Sequence, residues 1–127
     1  MIISEGQVFA CVAVSSFDIA RDFYGGTLGL RQTEENIGGL GFECGGGRIF
    51  VYISDTAGSG EATAAMWEVD DAVAAAAELI ERGVEFIEYD FEGVEYLDGV
   101  HHFSESFKNA WFKDPDGNVL GIVSGDM

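Results

Sequence analysis

Basic side chains are scarce in this sequence: six Lys and Arg stand against twenty-three Asp and Glu, for a formal net charge of −17. So acidic a surface repels phosphate backbones and anionic lipid headgroups, which excludes nucleic acid and charged membranes as expected partners. Only Lys108 and Lys113 are lysines. That balance suits a halophilic protein, because high salt screens the self-repulsion, and the plainer reading is an acidic protein of ordinary surroundings. No apolar run approaches the roughly eighteen residues of a membrane span. The opening Met1-Ile2-Ile3-Ser4-Glu5 has neither a basic flank nor a long apolar run, so no secretory leader is expected and the expected location is cytoplasmic. Cysteine is limited to Cys11 and Cys44, expected as free buried thiols, and histidine to His101 and His102. With 127 residues, 47% of them apolar, the chain is expected to form a single domain over 1–127 with its own core.

What is present is a repeat. Phe9–Asp18 lies over Ala64–Val73, each a strand-like run reaching a valine (Val14, Val69) before a polar cap and a helical pattern. Phe42–Ser54 lies over Phe112–Ser124 without a gap, each a strand, a tight turn and a second strand. In the first copy Gln7–Val14 alternates as a strand, Ser15 or Ser16 caps the helix, and strands follow near 30–35, 40–44 and 48–54. In the second, Thr63–Val69 is a strand and Asp70 a cap; Val73, Ala76, Ala77 and Ile80 line one helix face, and Gly83 ends it. Strands follow near 85–89, 110–113 and 119–123. The pattern predicts two tandem βαβββ modules, 7–54 and 63–124, joined by a linker at 55–62. The segment 90–109, acidic and aromatic, has no counterpart in the first copy and is expected to be a lid or binding loop.

Phe23-Tyr24-Gly25-Gly26-Thr27-Leu28-Gly29-Leu30, Trp67-Glu68-Val69-Asp70-Asp71 and Phe112-Lys113-Asp114-Pro115-Asp116-Gly117-Asn118 occur in that order. Together they resemble the vicinal-oxygen-chelate superfamily of glyoxalases, bleomycin resistance proteins and extradiol dioxygenases over about residues 7–124. The resemblance implies an α+β fold in which two βαβββ modules form one curved mixed sheet with helices on its convex side. It also implies four metal-ligand positions, two on the modules' first strands and two on their last. Counted from Val14, Val69 and Asn118, these fall on Phe9, Ala64 and Gly121, and the overlay adds Val51 as the mate of Gly121. None of these side chains offers a nitrogen or oxygen donor, so the resemblance is to a metal-free subgroup with no cofactor.

Strand alternation puts Phe9, Cys11, Ile49, Val51 and Ala64 on the ligand-facing side with Met66, Glu68 and Gly121. Tyr96, His102 and Trp111 would add stacking and polar contacts. The opposite parity, including Val12, Val14, Phe50, Trp67, Leu120 and Ile122, would form the core. Three functions fit. The first is sequestration of an apolar or cationic aromatic compound. The second is a glyoxalase- or dioxygenase-like enzyme using Glu68 as general base or a relocated metal, and the third a non-catalytic interaction domain. The resemblance further implies a homodimer.

Overall fold

The computed structural model describes residues 1–126. Strand β1 (Ala10–Val14) leads to a short helix, α1 (Phe17–Ala20), whose N-cap is Ser16: its hydroxyl accepts from the Ile19 N–H at 3.3 Å. The helix then widens into a π-helical segment, Arg21–Thr27, which carries Gly25 and Gly26. Strands β2 (Arg31–Asn36), β3 (Gly39–Cys44) and β4 (Gly47–Ile53) complete the first half. The second half has β5 (Thr63–Glu68), α2 (Ala72–Glu81), β6 (Phe86–Ile87), β7 (Glu95–Leu97), β8 (Val100–His102), β9 (Phe107–Lys113) and β10 (Val119–Gly125).

The expected single curved sheet does not form. There are two mixed sheets: four strands in the order β1-β4-β3-β2, and six in the order β5-β10-β9-β8-β7 with β6 also on β9. Neither is closed or strongly curled. The physical reason lies at the seam. β1 and β5 lie side by side, but each is the edge of its own sheet and they share no ladder. What joins the halves is side-chain packing. Val12, Val14, Tyr24, Leu40 and Phe42 from the first half meet Val100, Phe112, Leu120 and Ile122 from the second in one buried cluster. Trp67 crosses the seam too, its indole N–H 3.2 Å from the Cys44 sulfur.

Helix α2 starts one residue later than the sequence suggests, with Asp71 as its cap accepting from the Ala74 N–H at 3.0 Å. Its packed face is Ala72, Ala75, Ala76 and Leu79, whereas Val73 and Ile80 stand exposed. The insertion is not a bare loop. β7 and β8 form a hairpin around Asp98-Gly99, whose φ values of 48° and 88° are both positive, as a two-residue primed turn requires.

The second half also grips the first through its Asp114–Asn118 turn. Buried Asp114 accepts from the Tyr24 hydroxyl at 2.7 Å, from the N–H groups of Asp116 and Asn118, and from the Asn118 side-chain amide at 2.8 Å. That amide also donates to the Ala13 carbonyl at 2.7 Å, and Asp116 accepts from the Ser15 N–H at 3.0 Å. Burial and the adjacent Asp114 carboxylate push the Tyr24 phenol far above its ordinary value near 10.0, so it stays a neutral donor.

Candidate functional site

Each sheet has a core side, where the helices pack, and an open side. Strand pairing decides which residue faces where. In the first half Val12 pairs with Val51, and in the second Trp67 pairs with Ile122. Val51 therefore corresponds to Ile122, and the structural mate of Gly121 is Phe50. The cause is turn length. Glu43 pairs with Arg48 across four residues, whereas Lys113 pairs with Val119 across five. A one-residue offset reverses the face of every side chain on a strand. Ile49 and Val51 accordingly belong to the core, 2% and 0% exposed, while Arg48, Phe50 and Tyr52 have the open-side parity. The revised quartet is Phe9, Phe50, Ala64 and Gly121, which again offers no side-chain donor to a metal. Among the described residues no cluster of three or more His, Cys, Asp or Glu is placed to hold one.

The open side of β1 and β5 carries Phe9, Cys11, Ala64, Met66 and Glu68, all exposed. Cys11 is thus an accessible free thiol and not the buried one expected. The Arg48 guanidinium lies 4.1 Å over the Phe9 ring. It makes no ion pair with Glu68, which has no hydrogen-bond partner among the described residues. A general base is oriented by its neighbours; nothing orients Glu68. Gly121 does not leave a void. A Cβ there would stand 2.5 Å from the Met66 methyl and 3.1 Å from the Trp111 ring, so these two side chains already fill the position.

The chemistry gathers instead on the second sheet. Trp111 and Asn109 share the open side of β9, since Ala110 and Phe112 between and beyond them are in the core. His101 is the register partner of Asn109 and lies beside them, 1% exposed. Around it stand Tyr96, Phe91 and Trp111 with ring centroids at 4.7, 5.5 and 5.2 Å. Tyr89 meets Trp111 edge-on at 5.2 Å, and Phe103 extends the cluster through Phe91. Burial, aided by the Glu88 carboxylate, pushes the Tyr96 phenol upward. A cleft of about 640 Å³ adjoins the cluster at Tyr89, lined also by Ile87, Lys113, Val119 and the linker glycines. A smaller apolar cavity of about 160 Å³ lies on the core side between Leu28, Trp67, Leu79 and Ile122.

Of the residues expected to line a site, Tyr96 and Trp111 come together here, and Met66 and Gly121 meet Trp111 from the side. Phe9, Cys11, Ala64 and Glu68 lie apart, toward the seam. His102 has the parity of core Val100, so the histidine beside the aromatics is His101. Asn109 and Tyr89 carry no mark in the sequence as site residues, and His101 stands where His102 was expected. The signal that finds them is Asp98-Gly99, which makes the flanking residues a hairpin and brings His101 against β9.

Two β-α-β units, each ending in an antiparallel hairpin and packed on the other through one core, define the class of domain. The family model of the glyoxalase/bleomycin resistance protein/dioxygenase superfamily matches residues 6–122, and the chain belongs to that superfamily. No curated protein gives a significant match. Among solved structures it is similar to a glyoxalase/bleomycin resistance protein from Streptomyces sp. CB03234, at 26% identity and TM-score 0.67, over 92% of this chain and 98% of that one. It is similar to TnmS3, an antibiotic binding protein from the same source, at 23% identity and TM-score 0.69, over 95% and 98%. A glyoxalase family protein from Enterococcus faecalis aligns at 20% identity and TM-score 0.70, over 96% and 99%.

Proposed function

We propose that this protein binds a small aromatic molecule, without a metal, on the open face of the six-stranded sheet. The observation that carries the reading is the ring cluster of Tyr89, Phe91, Tyr96, His101 and Trp111 beside a cleft, on a sheet whose Gly121 replaces a family ligand position. Large apolar walls with few polar groups are the usual character of a small-molecule pocket. The similarity to an antibiotic binding protein points the same way. Apolar and cationic aromatic ligands both suit such walls, because ring faces attract cations as well as other rings. The acidic charge lies around the cluster.

The protein works as a homodimer in this reading. Phe9, Met66 and Phe91, at 40, 40 and 39% exposure, give the open side an apolar border suited to a second copy. Light scattering on the purified protein checks this, and a monomer at all concentrations counts against it.

The test of binding is a thermal-shift and fluorescence screen with planar aromatic antibiotics and dyes, run beside metal analysis. Trp111→Leu should weaken the hits at least about tenfold while leaving the fold intact. Stoichiometric metal in the purified protein, or hits indifferent to Trp111→Leu, would overturn the assignment.

A further inference from the structure

Two polar atoms on this face have no partner among the described residues: His101 Nδ1 and Asn109 Oδ1 are buried with no hydrogen bond. Leaving a buried donor or acceptor unmet is costly, so two on facing residues call for a reason. The ring's protonation follows from its other nitrogen. His101 Nε2 lies 2.9 Å from the Tyr89 backbone nitrogen and 3.2 Å from the Tyr89 carbonyl oxygen; the shorter contact has the N–H aimed at the ring, which makes Nε2 the acceptor and puts the proton of the neutral ring on Nδ1. The pair thus presents one free donor, Nδ1–H, beside one free acceptor, Asn109 Oδ1, from directly opposed residues of β8 and β9.

Among the rings packed around His101, one belongs to a loop. Phe91 is tilted on Trp111 at 5.9 Å and lies 5.5 Å from His101, yet is itself 39% exposed. It follows β6 in a stretch without ladder pairing, tied locally by the Val94 N–H donating to its carbonyl at 3.2 Å. An aromatic ring resting on Trp111 and against His101 occupies a place a ligand ring would take.

We propose that His101 and Asn109 are a paired hydrogen-bonding anchor for an uncharged planar aromatic ligand whose edge carries an amide-type group, a carbonyl beside an N–H. The carbonyl accepts from Nδ1–H, the N–H donates to Oδ1, and the ring replaces Phe91 on Trp111. This rests on the reading that the face binds aromatic molecules. It adds which edge the ligand must have.

The experiment compares carbostyril, a bicyclic aromatic lactam, with N-methylcarbostyril, which keeps the ring and carbonyl but loses the donor. Wild-type protein should bind carbostyril at least about tenfold more tightly, and Asn109→Leu should erase the difference while retaining the wild-type Tm or exceeding it. Should Asn109→Leu not fold, the imidazole nitrogen resonances of the wild type decide: carbostyril must move the His101 Nδ1 signal, and an unmoved signal overturns the anchor. Equal affinity for both compounds overturns the anchor while leaving the aromatic-binding reading standing. If neither compound nor any member of the aromatic panel binds, both fall together.

Discussion

The two halves of the chain share an order of elements and differ at a turn and an edge. The turn of the first half, Cys44–Gly47, spans four residues and touches nothing at Gly45 or Gly46; that of the second, Asp114–Asn118, spans five and is bound into the other half. The edge of β3 is covered by β2, all six residues of which are exposed and mostly polar. The corresponding edge of β9 is shared: β6 pairs with its end and β8 with its start, with 88–99 between them. One half therefore ends in a solvated, charge-blunted edge strand, and the other uses the same position to fold an aromatic wall over the sheet. Duplication supplied the scaffold. The differences between the copies supply the site.

The comparison breaks most visibly at the turns. Asp114→Ala leaves the Tyr24 hydroxyl and two turn N–H groups without their acceptor and should cost about 3 kcal/mol or more by urea denaturation. Gly46→Ala in the opposite turn should change stability by less than about 0.5 kcal/mol. Comparable losses would mean the two turns do equivalent work.

Tyr24→Phe should cost about 1–3 kcal/mol, and it carries a pH signature. Tyr24 has a raised folded pKa, so its contribution is fully present below the unfolded value near 10.0 and is lost as pH rises above it. Wild-type stability should therefore fall more steeply than that of Tyr24→Phe above that pH, in denaturation series run at alkaline pH.

On the open face, Gly121→Ala should cost about 1–2 kcal/mol, because the added methyl meets the Met66 methyl and the Trp111 ring. In a Met66→Ala background most of that penalty should disappear. A cycle of the four proteins measures the coupling.

The smallest effect concerns charge. Residues 63–124 carry fourteen acidic and three basic side chains, and 7–54 five and three. Potassium chloride should raise the Tm, and amide hydrogen exchange should slow more in the second half than in the first. Uniform slowing would place the repulsion elsewhere.

The repeat and, to within a residue, the helix starts were legible because each rests on local pattern. Ser16 and Asp71 cap helices by short-range chemistry, Asp71 one residue past the expected Asp70. The face of β4 was misassigned since an ungapped overlay hides one residue of turn length, and strand parity has no tolerance for that error. Arg48 and Tyr52, a charged and an amphipathic side chain on the same face, were the available warning. The single curved sheet failed for a different reason: whether β1 and β5 exchange hydrogen bonds depends on how two finished halves dock, which no local pattern encodes. His101 was passed over for His102 because a hairpin register, set by Asp98-Gly99, decides which of two adjacent histidines meets Trp111.

Gly58, in the linker between the halves, donates its N–H to the Asn118 side chain at 3.1 Å. Its φ is +71°, and a Cβ on it would lie 1.7 Å from the Asp116 carbonyl oxygen. The connection is thus anchored on the turn it leads past. Domain swapping needs a hinge that straightens so that half of one chain can complete another. Here straightening forfeits that seat and the hydrogen bond with it. Exchange of halves between chains is therefore opposed at the linker by a hydrogen bond and a close backbone approach.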